Sequence, residues 1–317
     1  MEEGKIDYEL LEKMISRYGF RDKSVVIGPG IGIDCAVLDV GKEYIVATTD
    51  PVTFVSSAEY CINVNVNDVV SMGAEPWFFM ATIILPPKSK KKELDTIMKE
   101  INEGCKRFKI NFGGGHTEVN PIVKEPLISG FMVGRCKKSE LRGSFNARDG
   151  DLVLLTKGVS IEGTTIIAEK RKKEIEKKWG KPFLERCQSF KKQLSVLKEA
   201  EIAKKSANGM HDVTEGGVIN TLYEICVASE VSIEVESIPV FRETEELCKR
   251  FGLDPLGLIS SGSLIITTKD PALLDRLEKS GIKTYNIGKV LKDGKNEVRM
   301  NGKVVKFFDR DEIIEMR

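Results

Sequence analysis

NDVVSMGAEP, residues 67–76, decides how the first half of this chain is read. Asn67 and Asp68 stand inside a run of small and β-branched residues that starts near Ser57, and Gly73 closes the run. Glycine just past a helical stretch is a common stop, so the spacing predicts a helix over 57–72. Val64, Val66, Val69 and Val70 surround the polar positions, which marks that helix as largely buried. A buried helix carrying Asn63, Asn65, Asn67 and Asp68 holds many polar groups that need partners. Asn65 and Asp68 are three residues apart and fall on one helix face. An apolar run over 77–85 follows at once and ends at Pro86-Pro87, the pattern of a buried strand.

Working outward, Leu10, Leu11, Met14 and Ile15 set a helical period over 7–18. Short strands are expected over 24–27, 36–38 and 44–49, an amphipathic helix over 88–109 and a strand over 126–135. Turn residues at Asn146-Ala-Arg-Asp-Gly150 suggest a boundary, with domains over 1–149 and 150–317. The second half opens on a strand over 151–156. Helices are expected near 161–178 and 183–205, after Glu215 and near 243–251; strands over 231–236, 263–268, 284–287 and 304–308. The fold class is α+β in two halves of similar size.

Composition narrows the function. Lys+Arg 49 against Asp+Glu 48 leaves a formal charge of +1, which argues against a general polyanion binder such as a nucleic-acid protein. No stretch reaches the roughly 18 apolar residues of a membrane span, and the N-terminus lacks the layout of a signal peptide. Seven scattered cysteines without ligand spacing read as reduced thiols of a cytoplasmic protein. The charged runs at 88–92 and 169–181 read as solvated helix faces.

Two phosphate-binding patterns fail. Gly28-Pro-Gly30-Ile-Gly32 lacks the third glycine of a dinucleotide loop, because position 33 is Ile33. Gly158 and Gly163 have P-loop spacing, but the lysine is missing. A glycine-bounded turn can still offer N–H groups to an anion.

What survives is a set of acids at predicted turns and element ends: Asp34, Asp50, Asp68 and Asp212. Separated carboxylates beside glycine-rich turns suit Mg²⁺, which takes oxygen ligands and is usually shared with substrate phosphates. Both histidines lie in glycine-rich segments, His116 in GGGHTE (113–118) and His211 in HDVTEGG (211–217). Glycine permits positive φ and close approach of a ligand to the backbone.

In order along the chain, GIDCAVL, TTDP, NDVVSMGAEP, GGHT, GDLVLLTKG and HDVTEGG resemble the aminoimidazole ribonucleotide (AIR) synthase superfamily. That superfamily holds PurM, HypE, thiamine-monophosphate kinase and selenophosphate synthetase. TTDPVTF, GGHTEV and LDPLGLISSGSLII are most similar to HypE-like, AIR synthase-related proteins. The resemblance runs from about residue 24 to about 290. It implies a two-domain PurM-like fold, with an N-terminal α/β domain giving strands to a dimer barrel and a C-terminal α+β domain. It implies ATP in a cleft near the homodimer interface, with Asp34, Asp50 and Asp68 holding Mg²⁺. A loop of Gly113, Gly114, Gly115 and Thr117 would approach the triphosphate, with Asn65 and Asn67 at the cofactor. His116, His211 and Asp212 would stand at the reacting centre. The chemistry implied is ATP-dependent phosphorylation or dehydration of a small amide- or oxygen-containing substrate. Phosphorylation of thiamine monophosphate, or a non-catalytic hydrogenase-maturation role with a protein partner, are the alternatives. Three departures bear on this. Ile33 stands where many relatives have a second acid, the chain ends FFDRDEIIEMR without the HypE cysteine, and its loop reads GGHT rather than the GGET of AIR synthase.

Overall fold

The structure, a computed structural model, describes residues 4–17, 22–52 and 57–316. Residue 18 of the expected first helix, and Thr53 and Phe54 of TTDPVTF, lie outside the described residues. The chain divides into two units. One holds Arg21–Gly28 and Asp34–Leu141; the other holds Met1–Phe20, Pro29–Ile33 and Arg142–Arg317. The division thus falls at Arg142, somewhat before the expected boundary, and the first helix, α1 (Tyr8–Arg17), belongs with the C-terminal unit.

The N-terminal unit is a six-stranded sheet in the order β1 (Val25–Ile27), β2 (Ala36–Asp39), β3 (Glu43–Val52), β6 (Leu127–Lys137), β4 (Glu75–Leu85) and β5 (Asn111–Val119). Only β4 and β5 pair in parallel, joined by helix α3 (Lys91–Phe108). Helix α2 (Ala58–Ser71) packs on β3 and β6, and almost all of its side chains are buried. Past its end, Gly73 takes φ 78° and its N–H bonds to the Val70 carbonyl. The α2 and α3 axes approach closely because Gly104 has no side chain; a Cβ there would lie 2.5 Å from Ile62 Cδ1.

The stretch 113–117, expected as a loop, is instead the middle of strand β5. Sequence pattern misreads it because glycine runs rarely signal strands. Here the glycines serve packing. A Cβ on Gly113 would fall 1.9 Å from Phe78 Cζ, and one on Gly115 1.9 Å from the Ala81 carbonyl oxygen. They flank a register shift in the β4–β5 pairing.

The C-terminal unit carries a seven-stranded sheet in the order β13 (Lys303–Val304), β12 (Val298–Met300), β9 (Ser232–Val235), β11 (Thr284–Leu291), β7 (Leu152–Thr156), β10 (Leu264–Thr268) and β8 (Gly209–Asp212). All pairs are antiparallel except β9–β12. Val153, Leu155, Ile265 and Ile287 of the sheet share a core with Val218, Leu222 and Ile225 of helix α8 (Gly217–Ser229). The two long helices expected after residue 160 are broken into α4 (Ile161–Lys170), α5 (Lys172–Trp179), α6 (Lys181–Ser189) and α7 (Leu197–Ala203). Gly180, at φ 81°, ends α5, and Pro182 starts α6. Helices α9 (Arg242–Phe251) and α10 (Ala272–Lys279) complete the unit. The strand expected over 304–308 shrinks to β13, because Phe307 and Phe308 leave the sheet to pack elsewhere.

A buried acid fastens the C-terminal segment, and a second lies buried on α4. Asp311 accepts N–H bonds from Gly216 (2.6 Å), Ile259 (3.1 Å) and Ile313 (2.8 Å). Glu162, on α4, is buried against Ser261, and its Oε2 has no hydrogen-bond partner among the described residues. Burial pushes both carboxyls up to about 7, against the pull of those hydrogen bonds. A raised acid keeps its proton in the fold over a range where the unfolded chain has lost it. Stability therefore falls as pH rises from the ordinary carboxyl range to about 7, and is flat above. Glu162→Gln keeps the shape and removes the charge. We expect it to raise the melting temperature at pH 8 by about 5 °C, with the gain absent at pH 4 when followed by calorimetry.

Candidate functional site

In the N-terminal unit, alternation along β3 sends Val46, Thr48, Asp50 and Val52 toward α2. Helix α2 presents Asp68 to that face. Asp68 is 2% exposed, and its Oδ2 lies 2.8 Å from Thr48 Oγ1. The same hydroxyl lies 3.0 Å from the carbonyl oxygen of Asp34. A hydroxyl has one proton, so it donates to one of these acceptors at a time. Asp34 sits in the bend before β2 with its side chain exposed, and Asp50 is half-buried. Thr48 thus ties the turn of Asp34 to the helix of Asp68, with Asp50 two residues along the same strand face.

Asn65 lies one turn before Asp68 and is fully buried, as is Asn67. Asn65 Nδ2 donates to the Cys61 carbonyl at 2.8 Å, while Oδ1 has no hydrogen-bond partner among the described residues. The sheet makes room for it at Gly130, where a Cβ would stand 2.5 Å from Asn65 Nδ2. A buried, unspent carbonyl oxygen beside a carboxylate face is an acceptor in search of a donor or a cation.

His116 is elsewhere. It pairs in register with Thr82, and Thr82 with Ser129. These residues occupy the sheet face opposite α2, because Gly130, between Ser129 and Phe131, points at α2. His116 is exposed there, with Nε2 3.2 Å from Glu118 Oε2. It edges a hollow of about 290 Å³ with Thr49, Thr82, Ser129 and Phe131. Gly113, Gly114, Gly115 and Thr117 are therefore strand residues, and His116 and the Asp50–Asp68 face lie on opposite sides of one sheet. His116→Ala removes an exposed contact between the ring and Glu118, so we expect the melting temperature to stay within about 1 °C of the parent in calorimetry.

In the C-terminal unit, His211 and Asp212 end β8, paired with Ile265 and Leu264 of β10, and both are buried. His211 Nε2 lies 3.3 Å from Glu224 Oε2 on α8. Glu224 Oε1 accepts from Tyr8 OH at 2.6 Å and from Lys5 Nζ at 3.2 Å. Burial would raise this carboxyl, but the Lys5 charge, then His211 and Tyr8, hold it down at about 2. Lys5 and Tyr8 also line a cleft of about 410 Å³ with Glu215, Asn220, Phe307 and Arg310. Sequence reasoning passed over Glu224, Tyr8 and this cleft. The available signal was Glu224 itself, the lone charged residue of the apolar helix GVINTLYEICVAS.

At the turn Gly158–Gly163, two of the N–H groups are taken up by the protein itself. Ser160 N–H donates to Ser260 Oγ at 2.6 Å, and Gly163 N–H to the Ile259 carbonyl at 2.9 Å. All seven cysteines are buried thiols outside any disulfide. No helix among the described residues is long and apolar enough to cross a membrane.

Comparison with known proteins matches these two units to two family models. Residues 32–136 match the N-terminal domain, and residues 148–301 the C-terminal domain, of AIR synthase related protein. A protein of Methanocaldococcus jannaschii, provisionally named a hydrogenase expression/formation protein, is 25% identical over 280 residues, covering 84% of this chain and 80% of the relative. Among solved structures, AaThiL complexed with AMPPCP and TMP superposes with a TM-score of 0.73 at 21% identity, covering 94% of this chain and 93% of that one. Hydrogenase maturation protein HypE in complex with ATP gives 0.68 at 18% identity, covering 93% and 90%. At such identities these structures speak for the fold alone. With both of its units matched, the chain belongs to the AIR synthase-related family and has the PurM-like fold.

Proposed function

We propose that this chain is an Mg²⁺-dependent, ATP-using enzyme of HypE-like type, which phosphorylates or dehydrates a small amide- or oxygen-containing substrate. The observation that carries this reading is the acid face of the N-terminal unit, where Thr48 joins the buried Asp68 to the turn of Asp34. In ligand type the donors suit magnesium: carboxylate oxygens of Asp34, Asp50 and Asp68 and the unspent Oδ1 of Asn65, while among the described residues the three carboxylates are not gathered within 4.8 Å of one another. These residues would hold the ion. When bound, Mg²⁺ supplies neutralisation of phosphate charge, which is most of what phosphoryl transfer asks of a protein. The chain's own part is positioning. Buried and bonded to Thr48, Asp68 is held in one rotamer and keeps its place without reorganising. That structures of the same fold are known with ATP and with AMPPCP supports nucleotide use.

A homodimer suits the same reading. Helices α2 and α3 cover one face of the N-terminal sheet, and the other face exposes Phe131 and Trp77, with β5 at the sheet edge. A second copy of this chain is the occupant we assign to it, since an identical open sheet matches it in pleat and hydrophobicity. Phe131→Glu should convert a dimer to a monomer in sedimentation velocity, and a parent chain that sediments as a monomer refutes the assignment.

Titration calorimetry with Mg-ATP tests the activity reading. We expect binding by the parent and loss of at least about tenfold in affinity for Asp50→Asn, a change at a half-buried acid that leaves the buried Asp68 in place. Absence of heat from the parent at millimolar Mg-ATP refutes the reading. Appearance of the diphosphate when thiamine monophosphate is supplied would identify the kinase of the family instead.

A further inference from the structure

We propose that Glu224 is a positioning residue that fixes the ring orientation of His211, with the proton on Nε2, and makes that orientation depend on the N-terminal segment lining the cleft. Its consequence for turnover rests on the proposed ATP-dependent function; the geometry stands without it.

The two oxygens of this carboxylate have different duties. Oε2 faces His211 Nε2 at 3.3 Å, with both side chains almost completely buried. Oε1 takes the Tyr8 hydroxyl at 2.6 Å and Lys5 Nζ at 3.2 Å. The contact is an ion-pair approach without hydrogen-bond alignment, and an ionised carboxylate only accepts, so its charge favours the tautomer with the proton on the ring nitrogen it faces. The partner of one imidazole nitrogen thereby decides what the other nitrogen can do. The carboxylate stays ionised through the neutral range, since Lys5, His211 and Tyr8 outweigh its burial.

The backbone around Glu224 is held as firmly as its side chain. Gly32, at φ 70°, packs so closely on this turn of α8 that a Cβ would lie 2.7 Å from the Glu224 carbonyl oxygen. Tyr8 is seated by ring contacts to Tyr223 at 5.6 Å and Phe307 at 5.4 Å between centroids. Tyr223 precedes Glu224 in the chain. Displacing the N-terminal segment therefore strips two donors from one oxygen and loosens the helix turn that presents the other. His211 is followed directly by Asp212 and the turn to Glu215, which lines the cleft. What happens at Lys5 and Tyr8 is felt one side chain away at the end of β8.

The chain has only two histidines, which makes the test clean. Long-range ¹H–¹⁵N spectra of the ¹⁵N-labelled protein at pH 7.5 give two imidazole patterns, and His116→Ala assigns them. We expect His211 to carry a proton on Nε2 in the parent. Glu224→Gln should mix or invert the pattern, and Tyr8→Phe should shift it in the same direction by less. A bare Nε2 in the parent, or an unchanged His211 pattern in Glu224→Gln, overturns the proposal. If Glu224→Gln does not fold, Glu224→Asp, which withdraws the carboxylate by one methylene, gives the same reading. In turnover, Glu224→Gln should lower kcat roughly tenfold or more while Mg-ATP affinity stays within about twofold. Equal losses in both would mean a general structural role and overturn it. Absence of Mg-ATP binding in the parent would sink the proposed function and leave the histidine spectra to decide the positioning role alone.

Discussion

A carboxylate taken out of water must be given donors, a cation or a proton. This one constraint organises both units of the molecule. Asp68 receives a threonine hydroxyl from the neighbouring strand. Glu224 receives a lysine, a tyrosine and a histidine, and stays ionised deep in the core. Asp311 gathers three backbone N–H groups and, with Glu162, still holds a proton up to about pH 7. The same problem has three solutions, and each solution pins a different piece of chain: a turn, the N-terminal segment and the C-terminal segment.

The glycines of 113–115 show how a motif and a fold can use one stretch for separate ends. Read as sequence, three glycines before a histidine suggest bare backbone turned toward a ligand. In the fold, Gly113 and Gly115 are bare because Phe78 and the Ala81 carbonyl already fill the space. His116 then emerges on the open sheet face beside Thr82, where its chemistry is available to whatever covers that face.

Legibility followed local signals. The Ser57–Met72 helix, the 77–85 strand and the acids around them could be read because apolar periodicity and a closing glycine agree there. The buried state of Asp68 followed from its valine neighbours. The strand nature of 111–119 could not be read, since nothing local in FGGGHTE favours a strand; pairing with β4 imposes it. The breaks between α4 and α7 were hidden by a charge pattern that stays helical through Gly180. Glu224 escaped because its partners lie 219, 216 and 13 residues away, as Lys5, Tyr8 and His211. A sequence window does not connect such positions.

That separation has a consequence for how the molecule is made. The N-terminal unit is nearly contiguous, running from Asp34 to Leu141 apart from β1. It can close on itself as soon as those residues have left the ribosome. The C-terminal unit needs Lys5 and Tyr8 and, far later in the chain, Phe307 through Asp311. Until those residues are made, Tyr8 has no Phe307 to stack on and Gly216 has no Asp311 to donate to. The growing chain therefore carries the aromatic, helix-forming segment around Tyr8 without its final seat until Phe307 and Asp311 follow, and the cleft takes shape only after both units' sheets have been made.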